Sequence, residues 1–174
     1  HEKGKEFQGI MRYLTKETGG NIHDNGTVEI TSNSIESNEF HPKNLVDYES
    51  ENNYASDPNG KEKSFVCFDF KDKSVNLSSY TIKSNSNSDG LSNPKSWVVE
   101  VSNDGEKWDV IDRQENVSSL KGSRIEFTFD VQKDNYGFYR YIRVHQTGEG
   151  WIRNDARVWF YSLEFYGVLK YPSK

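Results

Sequence analysis

The sequence predicts an all-β domain, an antiparallel sandwich or barrel preceded by one short helix. Three observations predict it. After Gly26, apolar and polar residues alternate with a period of two through most of the chain. The alternating stretches are short and are separated by runs of Gly, Asn, Asp and Ser. No helical period intervenes between them, as it would in a parallel, helix-covered sheet.

The helix comes first. Phe7, Ile10, Met11 and Leu14 fall at i, i+3, i+4 and i+7, one face of a helix, and Gly19-Gly20 would end it. That face is expected to pack on the domain edge. Residues 1–25 therefore read as a helical extension, 26–170 as the sandwich and 171–174 as a tail.

The strands follow in order. "TVEIT" sets Val28 and Ile30 on one face, and "YTIK" sets Tyr80 with Ile82. "FVCFDF" is almost continuously apolar, as in a strand covered on both sides, with Cys67 a small apolar residue inside it. "WVVEV" aligns Trp97, Val99 and Val101, and "WDVI" aligns Trp108 with Val110. Between them Asn103-Asp104-Gly105 is a hairpin signal, since these residues tolerate positive φ. Trp97 and Trp108 are both expected to anchor the core. "IEFTFDV" turns Ile125, Phe127, Phe129 and Val131 to one face, and "YRYIRVH" and "WFYSLEFYGV" close the chain. Four polar stretches, 32–44, 49–63, 84–96 and 148–157, read as loops.

Composition narrows the function classes. A chain of 174 residues fits one domain. A net charge of −5 argues against a nucleic-acid face, which needs clustered cations. No apolar run approaches the roughly 18 residues of a membrane-spanning helix. One cysteine cannot form an internal disulfide, which points to a reducing compartment. The chain begins at His1 rather than Met, so it is expected to be a fragment or to carry a tag remnant.

Chemistry-bearing motifs are few. There is no Gly-rich phosphate loop and no G-x-S-x-G elbow. His1, His23, His41 and His145 lack metal-ligand spacing. The acidic loop "NLVDYESENN" offers Asp47, Glu49 and Glu51, of which Asp47 is a weak calcium candidate without a fixed ligand set. No enzyme activity, metal or cofactor is expected. In "GEGWIRNDAR", Trp151 stands beside Arg153 and Arg157 in a loop, a composition typical of binding hot spots.

The pieces "ITSNS", "HPKNLVD", "YASD", "FVCFDF", "SYTIKS", "PKSWVVEVSNDGEKWDVID", "YRYIRVHQTG" and "LEFYG" occur in that order. Together they resemble the discoidin, or coagulation-factor type C, domain family of the galactose-binding-like superfamily. The resemblance implies a jelly-roll β-sandwich that binds its ligand through loops at one end. Many sugar-binding relatives hold calcium partly through a Glu of the last strand, where this chain has Ser162. The cysteine pair of the extracellular branch is missing. "FQGIMRYL" and "GGNIHDNGTVEITS" resemble the intracellular branch that accompanies BTB, ankyrin or ubiquitin-ligase domains.

The expected site is therefore the loop end, with His41, Tyr48, Tyr54, Asn93, Trp151, Arg153 and Arg157 facing the ligand. Arg143, inside "YIRV", is assigned to the frame. The leading expectation is an interaction module of a larger intracellular, cytoplasmic protein, monomeric when isolated, that binds a protein or peptide. The alternative is a carbohydrate-binding module of the galactose type. Neither nucleic acid nor membrane insertion is expected.

Overall fold

A computed structural model describes residues 1–57, 63–87, 91–132, 137–151 and 157–173. One helix, α1 (Ile10–Thr18), precedes nine strands: β1 (Glu29–Ser32), β2 (Tyr54–Ala55), β3 (Phe65–Asp69), β4 (Ser74–Ser84), β5 (Trp97–Ser102), β6 (Asp109–Gln114), β7 (Glu126–Asp130), β8 (Tyr141–Gln146) and β9 (Trp159–Lys170). Two 3₁₀ turns, Asn38–Phe40 and Pro42–Val46, lie between β1 and β2. The strands form a five-stranded sheet, β1-β3-β8-β5-β6, and a four-stranded sheet, β2-β9-β4-β7, antiparallel throughout. The fold is the expected antiparallel jelly-roll sandwich with a short N-terminal helix.

The inner faces supply the core. Ile30, Val66, Phe68, Val99, Val101 and Ile142 of one sheet meet Leu77, Tyr80, Ile82, Leu163 and Phe165 of the other. Trp97 is buried among them. Its indole N–H donates to Tyr80 Oη at 2.9 Å, and that hydroxyl donates to the buried Asp112 carboxylate at 2.5 Å. A large aromatic can sit this deep because its polar atom has a partner.

Trp108 corrects the expectation that both tryptophans anchor the core. It precedes β6, in a turn wider than a two-residue hairpin, and is only partly buried. Its ring lies on the outer face of the five-stranded sheet, with the Arg143 guanidinium carbon 3.9 Å from its centroid. Arg143 in turn pairs with Glu100 at 3.2 Å. Arg143 therefore serves the frame, as its place in "YIRV" suggested. The outer face of β3 is also only partly covered: Phe65 and Cys67 are half-buried, and Arg143 lies 4.9 Å from the Phe65 ring centroid. Burial pushes the Cys67 thiol up to about 11. On β7, Phe129 is buried but Phe127 is 42 % exposed. β7 is an edge strand, and its apolar face runs past the rim of the core.

The helix reading holds for Ile10, Met11 and Leu14, which are buried on α1, and Gly19 ends α1 in the left-handed conformation. Phe7 is buried as well, but it sits in a turn before the helix at φ 61°, so helical spacing does not place it. Its N-terminus lacks a cap from its own segment. The cap comes instead from β9. The fully buried Glu164 carboxylate accepts from Gly9 N at 3.1 Å, Met11 N at 2.8 Å and Arg12 N at 3.1 Å. A carboxylate satisfies the orphan donors of a first turn and complements the helix dipole. Gly9 permits the approach, since a Cβ there would collide with the Phe165 carbonyl oxygen and the Glu164 side chain. Burial pushes the Glu164 carboxyl upward, and the surrounding N–H groups pull it back.

Glu164→Ala would strand those N–H groups in the interior. The expected loss is about 3 kcal/mol or more, read as a lowered midpoint in denaturant titration. A chain starting at Gly26 loses the helix and uncovers Glu164, so its melting temperature should fall further than that of Glu164→Ala.

Candidate functional site

The antiparallel registers bring the loops that follow Ser32, Ser84, Gln114 and Gln146 to one end of the sandwich. Three of them are bonded into one surface. Asn93 is buried, with its Oδ1 accepting from Asn85 N at 2.8 Å. Its Nδ2 donates to Leu120 O at 2.8 Å and Gly122 O at 3.4 Å, on either side of Lys121. Val117 N donates to Lys95 O at 2.9 Å, and Thr147 N donates to Ser96 O at 3.0 Å. The backbone of Lys95, the backbone around Lys121 and the start of the last loop are thus held together.

Trp151 lies over this junction. Lys121 Nζ is 3.8 Å from its ring centroid and Lys95 Nζ is 4.6 Å from it. The ring is partly exposed, while the indole N–H is enclosed and has no acceptor among the described residues. An enclosed, unsatisfied donor is a local cost that folds tend to concentrate at functional surfaces.

The other expected site residues are dispersed. Tyr54 is fully buried in β2; its hydroxyl lies 2.9 Å from Ser32 Oγ and donates to Ser34 O at 2.9 Å. Neither Tyr54 nor Asn93 offers a face to a ligand, because each supplies interior hydrogen bonds that the polar loops need. Tyr48 goes with the helix: it packs 4.9 Å from Phe7, lies beneath Arg12 and donates to Leu163 O at 2.7 Å. His41 caps the second 3₁₀ turn, its Nδ1 accepting from Lys43 N at 3.0 Å, with the His23 ring 4.9 Å away. Arg157 reaches Glu36 at 2.8 Å. Arg153 lies outside the described residues. Sequence reasoning missed Lys95 and Lys121, since an isolated Lys in a polar loop looks the same as a solvated one.

The acidic loop does not fit a calcium ion. Glu49 pairs with Arg12 and Glu51 with Arg124, each at 2.6 Å, and Asp47 ends a 3₁₀ turn. A hard cation needs several oxygen ligands converging on one point. Among the described residues no group of three or more His, Cys, Asp or Glu side chains does so.

Among the described residues no deep cavity marks the loop end. The space beneath it, between Tyr54, Pro94, Trp97, Gln146 and Phe160, holds about 30 Å³, room for little more than a water. A larger open groove of about 560 Å³ lies elsewhere, where the N-terminal segment crosses β9. Two of its three tyrosines are engaged: Tyr166 accepts from Phe7 N, and Tyr171 donates to Glu17, while Tyr13 is exposed.

The sequence pattern of the F5/8 type C domain matches residues 29–159. The chain belongs to the F5/8 type C domain family. No curated protein sequence matches it. Among solved structures, this F5/8 type C domain is similar to the module CpGH89CBM32-5 from Clostridium perfringens, solved in complex with GalNAc-β-1,3-galactose. Identity is 16% and the TM-score 0.63, over 82% of this chain and 96% of that one. It is also similar to the family 32 CBM from C. perfringens NanJ, solved in complex with galactose (10% identity, TM-score 0.61, 80% and 93% covered). A third is the F5/8 type C domain of a Bacteroides fragilis protein (13% identity, TM-score 0.63, 86% and 95% covered). At these identities the likeness establishes the fold.

His41 yields a pH prediction. Burial, then the neighbouring His23 and Lys43, lowers its pKa below the ordinary histidine value. The native state thus binds fewer protons than the unfolded chain, so this stability is complete above about pH 6.5 and is lost as pH falls. Protonation also removes the Nδ1 acceptor that Lys43 N uses. The melting temperature should decline as pH is lowered from about 7 to about 5. His41→Asn, which keeps an acceptor oxygen, should flatten that slope in thermal melts.

Proposed function

We propose that this F5/8 type C domain is a non-catalytic glycan-recognition module that binds through the loop end. The observation that carries the reading is Trp151, a partly exposed indole where three loops are bonded into one surface. An aromatic face complements the C–H face of a sugar ring, and the ammonium groups of Lys95 and Lys121 can donate to hydroxyls around it. Similarity to modules solved with galactose and with GalNAc-β-1,3-galactose supports the same reading. The shallow surface suits one or two sugar units rather than an engulfed ligand.

The order of the two sequence-based readings is reversed here. Burial of Tyr54 leaves Trp151 as the site aromatic at the loop end. The apolar face of α1, a candidate partner surface, is covered by the sandwich. The expectation of an intracellular protein or peptide partner rested on resemblance in the N-terminal segment, with "VHQTG" and "EFYGVL" later in the chain, and in the folded chain the N-terminal segment packs against β9.

Calorimetric titration with galactose-containing oligosaccharides tests the reading. The native domain should bind, and Trp151→Ala should bind at least roughly tenfold more weakly with its melting temperature within about 2 °C of native. Undiminished binding by a folded Trp151→Ala variant would place the site elsewhere.

A further inference from the structure

We propose that the loop end selects acidic oligosaccharides, sugar chains bearing carboxylate or sulfate, through Lys95 and Lys121. The inference rests on the glycan reading above and names the class of glycan.

Two ammonium groups from different loops converge on one indole ring, at 3.8 and 4.6 Å from its centroid. Among the described residues neither makes an ion pair, whereas Arg124 and Arg157 pair with Glu51 and Glu36. Glu115 and Glu149 belong to the same loops and are exposed, but they form no ion pair with either lysine. Two like charges beside one ring repel each other. An anion placed between them turns that repulsion into two attractions.

The convergence is built into the backbone. The Lys95 carbonyl is bonded by Val117 N, and the buried Asn93 amide grips the carbonyls on both sides of Lys121. The chain as a whole carries a net charge of −5, so cations with no ion-pair partner among the described residues, beside the loop-end tryptophan, run against the general balance. A local positive field there attracts anions despite the overall charge. Neutral sugars gain less, because stacking on Trp151 would have to move the ammonium groups off the ring. An acidic sugar can stack while keeping them close.

The test titrates the whole chain with trigalacturonic acid, a chondroitin sulfate hexasaccharide and a neutral galactotriose. At least one acidic probe should bind roughly tenfold more tightly than the neutral one, and raising salt from about 50 to about 500 mM should erase the difference. The carboxylate and sulfate arms identify which anion is preferred. A Lys95→Gln/Lys121→Gln variant should lose the preference with an unchanged melting temperature, and Lys95→Arg/Lys121→Arg should retain it. Equal affinity for acidic and neutral probes, with binding still dependent on Trp151, overturns the acidic preference and leaves the glycan reading standing. Persistence of the preference in the glutamine variant overturns the assignment to these lysines. Tighter binding of a polyglutamate peptide than of either acidic sugar overturns the proposal in favour of a protein partner. Failure of all three sugars to bind sinks both readings.

Discussion

The buried carboxylate of Glu164 ties the ends of this chain together. It lies in the last strand and takes three backbone N–H groups from the start of the helix. A charge in the interior is tolerable only when surrounded by donors, and the first turn of a helix supplies several without competing partners. The helix therefore cannot shift without stranding both its own N–H groups and the carboxylate. Tyr48 reinforces the arrangement, bridging Phe7 and the Leu163 carbonyl. The consequence is a single apolar core that includes Ile10, Met11 and Leu14 along with both sheets.

At the opposite extreme of regularity, the loop end obtains its order from polar groups. Short polar loops bury little apolar surface, so they need hydrogen bonds to hold one conformation. Asn93 supplies them to three backbone groups in two separate loop segments. This explains how a loop surface can present Trp151 and two lysines in a defined arrangement without a deep pocket. It also explains why an asparagine that looked like a ligand contact is better regarded as a positioning residue: it sets the carbonyls beside Lys121 and does not reach the surface.

The two hairpin tryptophans divide the same labour. Trp97 ends in a hydrogen-bonded chain through Tyr80 to Asp112 inside the sandwich. Trp108 lies outside, where Arg143 and Glu100 form a charged layer across the sheet. A guanidinium stacked on an indole shields the sheet surface from water while keeping it soluble. The face bearing Trp108 is thus frame.

By itself, the sequence determined the fold class, the helix and most of the strand segments along the chain. These depend on periods of two and 3.6 residues and on turn chemistry, which are local properties. The burial of Ile10, Met11 and Leu14 was legible from their spacing alone, whereas Phe7 reaches the core from a turn outside the helix. It also pointed to Trp151, because an apolar ring in a polar loop is anomalous without any coordinates. Only the tertiary structure decided that Trp108 faces outward, that Tyr54 and Asn93 are interior, and that Lys95 and Lys121 meet at Trp151. Each depends on which segments from distant parts of the chain become neighbours. Residue type cannot distinguish a polar side chain that faces solvent from one that satisfies a buried carbonyl, since the same atoms make both kinds of hydrogen bond.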